Sequence, residues 1–191
     1  MELIEKLKGR VDRGEVFCTE SISRVVEFKG WKIRSSESTR TRGYSVRVVA
    51  NGRIGTSATT DSSPAALDEM IDNAIAAAKF GEDLALEFPG KSRFAMPDIY
   101  DEKSATIDIS ALADAGKALM AQIEKYRAEC DMNISSAMSS SRVQLTNTEG
   151  FSGEFRKSSF ALSADLTRVT EGDIYMAWDS YNTTHIPKDM T

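Results

Sequence analysis

An α+β fold with mostly antiparallel sheet is what this sequence predicts, and three observations predict it. Period-two alternation of apolar and polar residues recurs in several separate stretches. Tight-turn dipeptides punctuate them at Asn51-Gly52, Glu149-Gly150 and Glu171-Gly172. Two longer stretches, 64–80 and 110–129, carry apolar residues at helical spacing, and these two long helices are expected to cover one sheet face each. At 191 residues, 41% of them hydrophobic and 28% charged, the chain can bury a core and stay soluble, as one sizeable domain or two small ones.

Taken in order, 1–13 reads as a short helix with Leu3, Ile4, Leu7 and Val11 on one face and Gly14 to end it; Gly9 inside weakens it. Strand candidates follow at 16–21 and 24–31, with 32–37 either extending the second or turning away. In 39–60, Tyr44, Val46, Val48 and Ala50 alternate with Ser45, Arg47 and Val49, and Asn51-Gly52 suits a type I′ turn because both central residues need positive φ. A second strand runs from 53 to about 60. Ser63 then suits an N-cap and Pro64 the first helical position. Leu67, Ile71, Ala74, Ile75 and Ala78 share a face; Asp68 and Glu69 are placed near the positive end of the dipole, and Gly81 at a left-handed C′ position.

The stretch 82–107 contains Pro89, Gly90 and Pro97 with no sustained period, so it is a linker or a strap. Leu84, Leu86, Phe88, Phe94, Met96 and Ile99 favour the strap, since a solvated linker would carry fewer large apolar groups. From 110 to 130 a second helix places Leu112, Gly116, Leu119, Ile123 and Tyr126 on one face, capped by Asp108 or Ser110. Strands are then expected at 134–140, 143–146, 158–167 and 174–181. The chain thus divides into an N-terminal hairpin-helix half at 1–81, the strap at 82–107 and a second helix with a β-rich half at 108–191. Ser21-Ile22-Ser23-Arg24-Val25 parallels Ser139-Ser140-Ser141-Arg142-Val143, which fits a divergent duplication of a helix-plus-four-strand unit, although alternation alone also produces such matches.

The run GYSVRVVANGRIGTSATTDSSPAALDEMIDNAIAAAKF, from Gly43 to Phe80, resembles the N-terminal signature of the TldD/PmbA family, candidate modulators of DNA gyrase that are also classed as metallopeptidases. The resemblance returns at VQLTNTEGF, Val143–Phe151, and the run from Asn147 through Thr170 looks more like the PmbA branch than like TldD. It implies an N-terminal portion of a cytoplasmic protein active in proteolysis or maturation of peptides. This portion would shape a substrate cleft and a homo- or hetero-dimer with a family member, and would meet an unfolded peptide or protein. It also implies that zinc belongs only to full-length TldD-like members, on a C-terminal metal-motif domain that lies beyond the region matched here. A non-catalytic interaction module of the gyrase-modulator type is the alternative.

Residue chemistry is consistent with that division. An open zinc site wants about three nitrogen, sulfur or carboxylate donors, commonly two histidines one helical turn apart. This chain has one histidine, His185, and two cysteines far apart, Cys18 and Cys130, so no metal ligand, cofactor or catalytic residue is assigned and the substrate-binding residues stay open. Cys18 and Cys130 are expected to be small thiols packed in a reducing compartment. No Gly-x-Ser-x-Gly elbow is present, and Gly52 to Ser57 lacks the lysine of a phosphate loop, so its glycines read as turn residues. Whether the chain belongs to an enzyme is therefore left to the family. A net charge of -5 argues against nucleic acid as partner, Arg34, Arg40, Arg42, Arg47 and Arg53 reading as a solvated strand face. No leader and no apolar run long enough for a membrane span is read.

Overall fold

The computed structural model describes residues 2–84 and 86–186. Its elements are α1 (Glu2–Leu7), β1 (Arg13–Lys29), β2 (Lys32–Ala50), β3 (Arg53–Thr59), α2 (Pro64–Ala78), α3 (Glu102–Thr106), α4 (Ile109–Gln122), β4 (Asp131–Asn147), β5 (Ser152–Thr170) and β6 (Asp173–Thr183). The strands form one six-stranded antiparallel sheet in the order β3-β2-β1-β4-β5-β6. The fold is α+β, as the alternation and turn residues predicted. Among the described residues no helix is long and apolar enough to cross a membrane.

Several strands are longer than their patterns suggested. The candidates at 16–21 and 24–31 are one strand, β1; those at 134–140 and 143–146 are one strand, β4; and 32–37 belongs to β2. Each half therefore holds three described strands rather than four. Polar runs such as Ser36 to Arg42 and Ser139 to Arg142 hid this, because a strand whose neighbours lend it hydrogen bonds needs no apolar alternation of its own. The β1–β2 turn uses Gly30 (φ 57°) and Trp31 (φ 65°), a pair that composition does not flag. Asn51 (φ 52°) and Gly52 (φ 74°) are both left-handed, as a type I′ turn requires.

Contacts divide the chain into two compact units. The first holds Met1–Ser21, Thr41–Pro97 and Arg142–Phe155; the second holds Ile22–Arg40, Asp98–Ser141 and Arg156–Thr191. The division falls inside strands.

In the first unit, Val16, Val46 and Val48 pack with Ile4 and Leu7 of α1 and with Met70, Ile71, Ala74 and Ala78 of α2. Each Val, Leu, Ile or Met side chain among them, fully buried, contributes about 1.5–3 kcal/mol of transfer free energy. Ser63 caps α2 through the Ala66 N–H, with Pro64 at its first position. Other expectations for this helix need correction. Asp68 and Glu69 lie past the first turn; Asp68 instead meets Lys6 of α1 at 2.5 Å, and Asp72 meets Arg10 at 2.5 Å. Gly81 is not a left-handed cap: an added Cβ would collide with the Ile54 carbonyl, so close approach is what demands glycine there. Gly9 (φ 74°), not Gly14, is the left-handed residue after α1, and Gly14 lies within β1.

The segment that follows α2 runs along this unit. Its Glu82 carbonyl accepts from the Ile54 N–H (3.2 Å), and its Leu84 N–H donates to the Gly52 carbonyl (3.0 Å). Arg13 donates to the Leu86 carbonyl, Phe88 is buried beneath the Arg47 guanidinium, and Asn147 holds the Pro89 carbonyl at 2.8 Å.

In the second unit, Leu112 of α4 packs with Val26, Phe28, Met132, Ile134, Met138 and Phe160. Asp108 is the cap of α4, accepting from the Ala111 N–H at 2.8 Å. The helix ends at Gln122 and a single 3₁₀ turn follows at Glu124–Tyr126, which leaves Tyr126 exposed rather than on the packed face.

Candidate functional site

Two surfaces of the first unit bring chemistry-bearing residues together. One continues the floor of its core. Along β1 and β2 the side chains pass from Val16 and Val46, under α2, to Cys18 and Tyr44, and then to Glu20 and Arg42. Arg42 pairs with Glu20 and lies 5.5 Å over the Tyr44 ring. On β4 and β5, Arg142 makes a two-pronged bond to Glu154 (2.7 and 2.8 Å), and Gln144 donates to the same carboxylate at 2.7 Å.

Burial pushes the Cys18 thiol up, against the opposing pull of Arg42, so it stays protonated near neutral pH and is a poor nucleophile. Burial also raises Tyr44. The hydrogen bond and charge of Glu154 raise Arg142 further above its usual range. Every charge named here already has an opposite partner. The strip can orient and rigidify four strands, but it offers no poised acid, base or thiolate.

The second surface is an open groove of about 580 Å³, lined among others by Phe17, Thr19, Gly43, Ser45, Ala58 and Thr60. Most of these side chains are small, and Phe17 stands 37% exposed at its wall. β3 ends beside it. Its register with β2 stops at Tyr44↔Thr59, so within this unit the stretch of β2 from Thr41 to Gly43 runs on with no β3 neighbour. A strand that runs past its neighbour's end beside a groove of small residues can accept extended backbone with little demand on side chains.

Residues singled out from sequence are scattered. His185 lies after β6, exposed, with Nε2 3.3 Å from Asp98 Oδ1. Cys18 and Cys130 are both free and half-buried, Cys130 just before β4. Among the described residues no group of three or more His, Cys, Asp or Glu could hold a metal ion. Of the five arginines, Arg42, Arg47 and Arg53 are engaged by Glu20, Glu15 and Asp83. The groove itself was not legible in sequence. Gly43, Ser45 and Ala58 read only as small strand residues, and the one cue was that the 53–60 strand is much shorter than β2 proved to be.

The class these features define is an α+β domain on one six-stranded antiparallel sheet. Residues 14–78 match the family model described as PmbA/TldA metallopeptidase domain 1. The fold is similar to that of TldE from Thermococcus kodakarensis (TM-score 0.84, 13% identity), covering 99% of this chain and 44% of that one. It is similar also to a protein from Thermotoga maritima described as a candidate modulator of a DNA gyrase (TM-score 0.83, 12% identity; 96% and 42% covered). A protein from Bacteroides thetaiotaomicron with a like description gives TM-score 0.83 at 19% identity, with 96% and 44% covered. No curated protein matches the chain. Residues 14–78 thus resemble the first domain of that family, and the chain spans less than half the length of these similar structures.

Proposed function

We propose that this domain serves a TldD/PmbA-type protein in the proteolysis or maturation of peptides, shaping the substrate cleft and the dimer while contributing no metal ligand. The observation that carries the reading is the Thr41–Gly43 stretch of β2, which runs past the end of β3 at the Phe17–Gly43 groove. An unfolded peptide or protein added there would be selected for length and disorder, because backbone groups supply the recognition and folded chains cannot present them. Zinc is placed outside this chain, in full-length TldD-like members; the resemblance of 147–170 to the PmbA branch favours a partner subunit without the metal histidines. The setting is cytoplasmic, the partner a family member, and neither nucleic acid nor a membrane is involved.

A disordered peptide titrated against this chain and against a full-length family protein tests the reading. Binding by the full-length protein, weakened when Gly43→Trp fills the groove, is expected. Binding by neither would overturn it. The alternative, a non-catalytic regulatory module, is favoured by the descriptions of the Thermotoga and Bacteroides proteins. It requires retention of a gyrase-associated protein without any peptide binding. Elemental analysis of dialysed chain is expected to find no stoichiometric zinc.

A further inference from the structure

The second unit holds a groove of about 250 Å³ on its strands, lined by Glu27 and Lys29 of β1, Arg34 of β2, Asn133 and Ser135 of β4 and Asp165 of β5. Alternation puts these side chains on one face. Val26, Phe28, Met132, Ile134, Ala164 and Leu166 turn inward to the core around Leu112. Glu27, Lys29, Asn133, Ser135 and Asp165 are their chain neighbours, so they stand on the opposite face of the sheet.

Register then sets four of the unit's residues in a row. The Gly30 N–H donates to the Met132 carbonyl (3.4 Å), which on antiparallel strands places Lys29 opposite Asn133. The Ser139 and Ser159 hydroxyls meet at 2.9 Å, and the same register places Asn133 opposite Asp165. Asp165 is opposite Trp178 of β6, which is 77% exposed. Across four strands the row is therefore a cation, a neutral amide, an anion and an aromatic ring.

The opposite charges are present but unsatisfied. Among the described residues, the side chains of Lys29, Arg34 and Asp165 have no hydrogen-bond or ion-pair partner, whereas Arg127, Arg156 and Arg168 of the same unit pair with Glu124, Glu102 and Glu129. The intervening strand keeps them apart. Neighbouring strands lie about 4.8 Å from each other, so Lys29 and Asp165 rise from the sheet roughly 9.5 Å apart. Asn133 and Ser135, between them, are short and leave the space open, with an amide and a hydroxyl on its floor.

We infer that this groove binds a small zwitterion, its carboxylate toward Lys29 and Arg34 and its ammonium toward Asp165 and Trp178. The Arg34 guanidinium offers a fork that matches a carboxylate, and the Trp178 ring face attracts a cation. Charge chooses this ligand. A plain anion would meet Asp165 and Glu27, and a plain cation would meet Lys29 and Arg34; a molecule with both charges finds the opposite charge at each end. Spacing sets its length. Two charge-assisted contacts of about 2.8 Å each leave about 4 Å between the ligand's own charged groups. The volume agrees, being below the roughly 300–1,000 Å³ of a drug-sized pocket. This site shares no residue with the Phe17–Gly43 groove and does not rest on the function proposed above.

The test is isothermal titration of the chain with 4-aminobutyrate. Butyrate and butylamine are the single-charge controls, and glycine and 8-aminooctanoate the length controls. Saturable one-site binding of 4-aminobutyrate is expected, about tenfold or more tighter than that of any control. Arg34→Gln and Asp165→Asn, at exposed positions and checked for folding by circular dichroism, should each weaken it by about tenfold or more. Asp165→Asn should also erase the preference over butyrate. Absence of saturable binding up to about 50 mM would overturn the inference. So would butyrate or butylamine binding as tightly as 4-aminobutyrate, which makes the groove a plain anion or cation site. Unchanged affinity in both variants would overturn it too, by placing the ligand elsewhere.

Discussion

Gly55→Ala should be among the most damaging single-methyl additions in the first unit. Gly55 lies in β3 where α2 crosses it, and it is there for close approach rather than as a turn residue, which corrects the sequence expectation. An added Cβ would sit 2.5 Å from the Ala78 nitrogen and 2.9 Å from the Ala78 Cβ, and would also meet the Ala74 carbonyl oxygen. Carbon atoms in comfortable contact are about 3.5–4.0 Å apart, so the helix must retreat by roughly 1 Å or more. Backbone atoms cannot turn aside as a side chain can. Retreat loosens Met70, Ile71, Ala74 and Ala78 together, all of them at most 2% exposed. We therefore expect a loss near the top of the overpacking range, about 3 kcal/mol. For a chain of this size that corresponds to roughly 6–12 °C in Tm. Urea unfolding followed by circular dichroism measures it, with Gly43→Ala as control. There the new methyl would meet only Thr19 Cγ2 at 3.6 Å, ordinary contact, and the change should stay within about 0.5 kcal/mol. If Gly55→Ala matched that control, the account of how α2 seats on β3 would be wrong.

Three further outcomes follow from single residues. Gly52→Val, forced to φ 74° with nothing within 4 Å to blame but the backbone, should cost roughly 1–3 kcal/mol, measured by thermal melting. Ser136→Ala should raise stability by about 1 kcal/mol in urea unfolding, because Ser136 Oγ is fully buried and has no hydrogen-bond partner among the described residues. Asp61, whose carboxylate accepts the Ser63 N–H at 2.7 Å ahead of α2, is held below its usual pKa chiefly by that bond. Its folded value is lower than its unfolded one, so its contribution is complete above about pH 4 and is lost as pH falls through the folded value. The Tm difference between the native chain and Asp61→Asn should accordingly shrink between pH 5 and pH 2, and a constant difference would refute the assignment.

The hairpin and helix of 43–80 were legible because their signals are local. Asn51-Gly52 needs positive φ wherever it occurs, and Ser63-Pro64 caps a helix without help from elsewhere. Met70 was missed as a core residue, and Tyr126 was wrongly included in one, because packed faces depend on where a helix stops and what lies beneath it. Strand length was the larger blind spot. β4 runs unbroken through Ser139-Ser140-Ser141 since its hydrogen bonds come from neighbours that are distant in sequence. The groove depends on β2 outrunning β3, a register fact that no single segment encodes.

The two units meet the same packing problem with opposite placements of the small residue. In the first, the glycine is on the strand: Gly55 admits the backbone of α2. In the second it is on the helix: Gly116 of α4 admits Phe28 of β1, whose ring an added Cβ would approach to 2.6 Å at Cζ. The strands nonetheless run in step, 17 residues in β1 and β4 and 19 in β2 and β5. Strand length in a shared sheet is set by the neighbours that must be hydrogen-bonded, whereas a helix contact is set by one or two side chains. If one ancestral unit stands behind both halves, the ladder is therefore where its trace should persist, and the helix contacts are where it should be erased first. Matching strand lengths alone also arise when neighbours in one sheet are trimmed to fit each other, so the glycine placements are the more discriminating observation, and they count against a close duplication.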